Sequence, residues 1–512
     1  MRPSPTLRPN HDTPLGALHP YWARKPLNIV SDLVATLSEE NDTVIDPFMG
    51  SMTIPFASAA LKRFAIGADL SELSMFIATA TTQLLEDGGR LLDAIDEILA
   101  EHSLETHEAF ILDGGPDTIE RIHYMVEGEF SDGNFSLIPA EIITKVFDSG
   151  RWRHRRSKAA DSSFKIELPT NRGVDIVQFE HVILEENSRI AIPPGARLSH
   201  YFSPENQWSI NSYLRIARSH PAWPTYAESL LLPLSAALPM LRLSDRKASS
   251  QWPFWRPKRN LTSRNPMMVL KQKRDAVRKF LEWCEINHFN SGMAQRLFLH
   301  HSPVQSLGSK LGNSKADLVL TDPPYADQVP YLEYTQLWAP ILGFNYQRGS
   351  RNDELVVSTG PRLRTSSTAS YESKLSECLQ ACLALCGEDG TVAWFYQDHI
   401  LANWATIYSA THDFGFQILD VIPVPKQRRS LKTVTSPKRT LDGDLIIVFS
   451  RSASAKNAEK LSAFKARIAP PRRDINHFFV YASFVREALI TGKIIEMSRR
   501  FRTVEEALED LG

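Results

Sequence analysis

The chain has little cysteine: four residues in 512, with no CxxC pair and no Cys/His cluster at metal-ligand spacing. That excludes a disulfide framework and a zinc knuckle as organising elements, and no bound metal is expected. Cys378, Cys382 and Cys386 recur every fourth residue, the spacing that stacks side chains along one helix face, so core packing is expected of them. No apolar run approaches the length of a bilayer-crossing helix, and no membrane association is expected. The opening residues, MRPSPTLRPNHDTPLG, lack the apolar stretch and small-residue cleavage site of a secretory signal, so the expected location is the cytoplasm. An excess of one charge is missing too, because 58 Lys and Arg stand against 59 Asp and Glu for a net charge of −1. No global basic field therefore announces a nucleic-acid partner, and any such surface must be local.

What is present is an ordinary globular composition, 43% hydrophobic and 23% charged, long enough for about two to four domains. From Pro26, PLNIVSDLVATLSEE has helical periodicity, with proline suited to the first turn. TVIDPFMGS then reads as a short buried strand running into a glycine turn, TIPFASAALKR as a helix and FAIGAD as a second strand, which together make a βαβ unit. Helical pattern resumes from Ser71 to Ser103. Residues from about 105 to 235 predict short strands mixed with polar turns. A second α/β region begins near residue 300, with ADLVLTD, TVAWFYQD, FQILDVIPV and GDLIIVFSR as strands and KLSECLQACLALC and NWATIYSATHDF as helices. The last sixty residues predict an appended helical tail. The fold class is α/β.

Two constellations carry chemistry. Asp46-Pro47-Phe48-Met49-Gly50-Ser51-Met52-Thr53 closes the first strand, and Asp69 closes the second. Doubly wound sheets bind nucleotide-like ligands at such strand ends, with a small-residue turn for close backbone approach and an acidic residue about 20 positions on for ribose hydroxyls. The second constellation, Asp322-Pro323-Pro324-Tyr325, follows a buried strand. An amine on an aromatic ring is a weak nucleophile because its lone pair is delocalised. Hydrogen bonds from its N–H groups to the Asp322 carboxylate and to a rigid carbonyl between the two prolines would localise that pair. Tyr325 would then stack on the ring of a base taken out of its helix.

Both motifs resemble those of the amino-methyltransferases of DNA, the adenine-N6 and cytosine-N4 family, with its DPFxGSGT-type and (D/N/S)PP(Y/F) sequences. His19-Pro20-Tyr21-Trp22-Ala23-Arg24-Lys25-Pro26 is similar to the HPxxKP-like segment that precedes the first motif in many members. The resemblance implies a Rossmann-like class I methyltransferase with a largely parallel doubly wound sheet and S-adenosylmethionine as methyl donor. It implies donor contacts from Asp46, Phe48, Gly50, Ser51, Thr53 and Asp69, and transfer by Asp322, Pro323, Pro324 and Tyr325. Met52 departs from the family's usual glycine and puts a side chain where it could crowd the donor. HHSPVQSLG lacks the acidic residue that members often place near the donor's adenine, leaving His301 or Ser302 for that place.

The order of motifs predicts residues 15–90 as the donor-binding half, 91–300 as an inserted target-recognition region, 301–455 as the catalytic half and 456–512 as the tail. Within the insertion, aromatics and bases interleave from Trp252 to Lys279, with Arg256, Lys258 and Arg259 at the centre and Arg264, Arg274 and Arg278 beyond. A second basic loop carries Lys426, Arg428 and Arg429. Such stretches suit phosphate contact, so double-stranded DNA is the expected partner, with a restriction or phage-defence protein as a further one. Adenine N6 is the preferred target. The competing readings are an RNA or protein-amide methyltransferase and a catalytically silent DNA-binding subunit.

Overall fold

The computed structural model describes residues 6–106, 118–129, 134–148, 151–159, 175–187, 190, 192–245, 259–312, 314–325, 331–344, 353–356, 368–426, 441–452, 455–469 and 476–511. In chain order its strands are β1 (Thr43–Asp46), β2 (Phe64–Asp69), β3 (Thr118–Glu129), β4 (Asn134–Asp148), β5 (Arg151–Lys158), β6 (Ser244–Asp245), β7 (Asn260–Arg264), β8 (Leu297–His301), β9 (Ala316–Thr321), β10 (Cys386–Tyr396), β11 (Gln417–Pro425) and β12 (Gly443–Ser450). Seven of them form one sheet in the order β11-β12-β10-β9-β1-β2-β8. All neighbours are parallel except β12, which runs antiparallel between β10 and β11.

The reason for this sheet is visible in how consecutive residues part. Val44, Leu318, Leu320, Phe395 and Ile446 enter one apolar cluster, while their neighbours Ile45, Val319, Trp394, Tyr396 and Ile447 enter the other. Strands that are apolar at every position bury both faces, which requires helices on both sides. Helices Leu27–Leu37, Thr53–Ala60 and Ala455–Arg467 serve the first face; Thr368–Leu385, Leu401–Asp413 and Asn476–Ile490 serve the second. Progress along the sheet reverses between β1, which leads outward to β2 and β8, and β9, which leads to β10 and β12. A ligand cleft opens at such a switch point.

The sequence division at residue 300 places β8 in the insertion, whereas β8 pairs in parallel with β2 and forms the sheet's edge. Between β2 and β8 lies a second sheet, antiparallel, in the order β5-β4-β3-β7-β6. The expectation of short strands and polar turns from 105 to 235 is corrected here. β3 and β4 are long, and helices Pro204–Ser219 and Trp223–Leu241 follow. Pro233 and Pro239 inside the second helix hid it from pattern reading, since interior proline normally breaks a helix. Its buried leucines on several faces, Leu230, Leu231, Leu232, Leu234 and Leu238, hold it in the core regardless. Pro139 in β4 sits where the pairing with β3 shifts register, a bulge position that spares a ladder hydrogen bond.

The C-terminal helices pack on the sheet rather than trailing from it. Phe478, Tyr481, Val485 and Leu489 are buried in the second cluster, and the Tyr481 hydroxyl donates to the Asp398 carbonyl. The cysteines are free and buried, but Cys386 opens β10 instead of continuing the helix of Cys378 and Cys382, which ends at Leu385. Among the described residues no helix is long and apolar enough to cross a membrane, and no group of three His, Cys, Asp or Glu is placed to hold a metal.

Candidate active site

Both motifs reach the carboxyl edge of the parallel strands on either side of the switch point, and one hydrogen bond joins them. The Thr321 hydroxyl, at the end of β9, donates to Asp46 Oδ1 at 2.7 Å at the end of β1. The Phe48 N–H donates to the same oxygen at 3.2 Å. Burial pushes the Asp46 carboxyl well above its usual range, opposed by these two bonds. In the following turn Gly50 has φ +50°, and a Cβ there would lie 3.0 Å from Tyr21 Cε1. Its N–H donates to Asp69 Oδ2 at 2.8 Å, and the Ser71 N–H donates to Oδ1 at 2.8 Å. Asp69 is thereby fixed at the end of β2, its carboxyl raised by burial against those two donors.

A cleft occupies the switch point, the place where a doubly wound sheet takes a small-molecule ligand. Asp46, Phe48, Gly50, Ser51, Thr53 and Asp69 all line it, as do Asp322 and Pro324. Met52 does not. It takes a left-handed conformation, φ +66° and ψ 15°, at the N-terminus of helix Thr53–Ala60, and its side chain is fully buried in the core. The crowding expected from the sequence is corrected accordingly. Replacing Met52 with glycine relieves about 1 kcal/mol of left-handed strain but removes a buried side chain whose loss costs about 2–5 kcal/mol. Met52→Gly is therefore expected to destabilise the fold by about 1–4 kcal/mol in denaturant titration and to leave donor affinity unchanged.

At the other end of the cavity stands a cluster of charges. Lys25 Nζ lies 3.1 Å from Asp322 Oδ1 and 3.0 Å from Asp444 Oδ2, and donates to the Tyr325 hydroxyl at 2.9 Å. That hydroxyl donates in turn to Asp322 Oδ1 at 2.6 Å. The topology explains the meeting: β12 runs antiparallel, so its first residues, Asp444 among them, lie at the same sheet edge as the end of β9. Burial pushes the Asp322 carboxyl up to about 6, with the Lys25 ammonium pulling it back down. Asp444 is buried too, but Lys25 and Lys426 hold it below the usual carboxylate value. Burial opposes the Lys25 charge, yet the two carboxylates raise its pKa and keep it an ammonium.

Tyr325 is only 7% exposed and is not part of the cavity wall. Its hydroxyl is held by Asp322 and Lys25, and its ring meets Tyr396 edge-on at 5.5 Å. The aromatics on the wall are Tyr21, Trp22, Phe48 and Tyr331, with Tyr21 stacked on Tyr331 at 5.9 Å. Arg24 also lines the cavity and is half-buried. Its nitrogens donate to Ser51 Oγ and to the Leu15 and His19 carbonyls, and among the described residues no carboxylate pairs with it. Burial lowers its pKa to about 10.

Other expected residues fall elsewhere. His301 and Ser302 are not on the wall; Ser302 bonds Ser306, His301 bonds the Leu70 carbonyl, and Pro303, Val304 and Gln305 line the cavity instead. Arg256, Lys258, Arg428 and Arg429 lie outside the described residues, and Arg259 is exposed just before β7. Arg274 and Arg278 belong to helix Pro266–Ile286 and pair with Asp96 and Glu282, so they are a solvated helix face rather than a free basic track. Roles for Lys25, Arg24, Tyr331 and Asp444 were not read from the sequence. The available signals were the HPxxKP-like segment that carries Arg24 and Lys25, and an aspartate at the entry of an otherwise apolar strand, Asp444 before LIIVF.

Residues 3–79 match the DNA methylase family N6_N4_Mtase. This segment of the chain is similar to the DNA methylases of the N6/N4 type. The matched segment holds the cavity's Tyr21 to Lys25, the β1 turn and Asp69, and ends well before Asp322. No curated protein matches the chain.

Proposed function

We propose that this methylase transfers a methyl group from S-adenosylmethionine to the exocyclic amine of a flipped-out base in duplex DNA, with adenine N6 the preferred target. The observation that carries the reading is the shared cavity: Asp322 and Pro324 open onto the space walled by Asp46, Gly50 and Asp69. Residues 15–90 and 301–455 then act together as a Rossmann-like class I core, with 91–300 as the recognition region.

The cavity suits the donor on its own chemistry. Asp69 suits ribose hydroxyls, the glycine turn admits close backbone approach, and Arg24 offers a half-buried cation to a carboxylate. S-adenosylmethionine bound there supplies an electrophilic methyl group on a sulfonium sulfur. Asp322 and the Pro323 carbonyl accept the two N–H bonds of the target amine, drawing its lone pair out of the ring, and Asp322 is the carboxylate in place to take the departing proton. Tyr325 anchors Asp322, whereas Tyr331, already on the wall, offers a base its aromatic face. Met52 lies in the core, which supports a site open to the donor and weakens the silent-subunit alternative.

The test is transfer of labelled methyl to duplex DNA, RNA and protein fractions, followed by sequencing of methylated bases. Label in DNA at adenine N6 is expected; label only in RNA or protein would overturn the substrate. Arg24→Met is expected to weaken donor binding by about 10- to 100-fold in calorimetry, the worth of one charge-assisted contact.

A further inference from the structure

We propose that Ser235, on the helix Trp223–Leu241, is a positioning residue that clamps two segments of the cavity wall, an inference that rests on the DNA-methylase reading for its effect on transfer. Its hydroxyl lies 2.8 Å from His19 Nε2, and its carbonyl accepts from Trp338 Nε1 at 3.0 Å. All three residues are fully buried. His19 and Trp338 stand at the roots of the two segments: Tyr21 to Lys25 line the cavity directly after His19, and Tyr331 and Leu332 line it shortly before Trp338. The segments also meet each other. Tyr21 stacks on Tyr331 at 5.9 Å, and Trp22 crosses Trp338 edge-on at 6.1 Å.

Both contacts are directional, which simple core packing does not require. Pro239 stands four residues after Ser235 and has no N–H, so the helix cannot take up the Ser235 carbonyl in the regular way and leaves it for the Trp338 indole. His19 Nδ1 lies 2.8 Å from the Pro20 carbonyl, which can only accept, so Nδ1 carries the ring's proton. Burial pushes the His19 ring down to about 3 and keeps it neutral. Nε2 is then an acceptor, and the Ser235 hydroxyl is its donor. The turn that follows needs outside support. Ala23 sits at φ +50°, a left-handed conformation that alanine holds only where its surroundings impose it. The His19 carbonyl accepts from Arg24 Nη2 at 2.9 Å, and Lys25 at the end of the turn lies 3.1 Å from Asp322 Oδ1. Ser235 thus acts on Arg24 and Lys25 through His19, without itself lining the cavity.

The experiment compares Ser235→Ala with Ser229→Ala in the full chain. Ser229 is an equally buried serine of the same helix, but its hydroxyl donates to Gln83 Oε1 at 2.7 Å, on the helix Glu72–Thr106 and not on either wall segment. Brief native digestion with trypsin, followed by mass spectrometry, reports opening of the turn as cleavage after Arg24. Ser235→Ala is expected to speed that cut by about five- to tenfold, the worth of one buried hydrogen bond, and Ser229→Ala to leave it unchanged. The second readout is the acid limb of kcat for methyl transfer. The groups facing the Asp322 carboxyl are Lys25, Asp444 and the Tyr325 hydroxyl, and of these only Lys25 belongs to the turn. A loosened turn holds Lys25 less firmly against Asp322, so the limb is expected to move upward from about 6 in Ser235→Ala and to stay in place in Ser229→Ala. Equal cutting of the two variants overturns the clamp whether or not methyl is transferred. Transfer by the wild-type chain with the limb of Ser235→Ala still near 6 also overturns it and leaves the methylase reading standing. Selective cutting in a chain that transfers no methyl to DNA, RNA or protein overturns the methylase reading and leaves the clamp.

Discussion

Replacing Asp322 with alanine is expected to lower kcat for methyl transfer by on the order of 100- to 1,000-fold or more, with donor affinity nearly unchanged. The carboxylate is the strongest acceptor facing the cavity from the tetrapeptide, and a neutral site cannot draw the target amine toward tetrahedral geometry. The fold should survive, because Lys25 keeps its ion pair with Asp444 at 3.0 Å when Asp322 is gone. The donor contacts proposed above belong to the β1 turn and Asp69, which line the cavity on the other side of the switch point. Asp322→Asn is expected to be no better: its amide brings two donors into a place already holding the Lys25 ammonium and the substrate N–H groups. Single-turnover transfer and calorimetry check the two halves of this expectation, and activity within tenfold of wild type would remove Asp322 from the mechanism.

How much of this was legible in the sequence depends on how local each signal is. β1, β2 and β9 are short apolar runs that end in or run into an aspartate, and both the strands and the candidate site residues at their ends could be read directly. The helix of residues 223–241 could not, because burial outweighs the two prolines that argue against it, and burial is a tertiary fact. β5 was invisible for a related reason: a strand exposed on both faces has no apolar alternation to betray it. The union of Lys25, Asp322 and Asp444 was the least accessible feature. The partners lie 297 and 419 residues from Lys25 and meet only because one antiparallel strand returns to the edge where the parallel strands end. The buried position of Met52 escaped likewise, since motif comparison shows which residue stands at a left-handed position but not where its side chain turns.

Lys25→Met should be as damaging as Asp322→Ala but in a way that pH reveals. The substitution leaves the Asp322 and Asp444 carboxylates together in a buried site without their shared counter-charge, a loss of about 3–5 kcal/mol unless one takes up a proton. Asp322 is the one to do so, because burial already places its pKa at about 6 while Asp444 retains Lys426 at 3.7 Å. Transfer needs the carboxylate, so wild-type activity is expected to fall as pH drops through about 6. Without Lys25 the acid limb should move upward by roughly 1–3 units, the usual effect of removing an opposite charge at this range. The variant would then be nearly inactive at pH 7 and regain rate toward pH 9. A change that merely loosened the fold would lower the rate at every pH and leave the limb in place. The pH–rate profile of kcat therefore separates positioning of Asp322 from simple destabilisation, and a limb still centred near 6 in Lys25→Met would show that Lys25 does not govern the catalytic carboxylate.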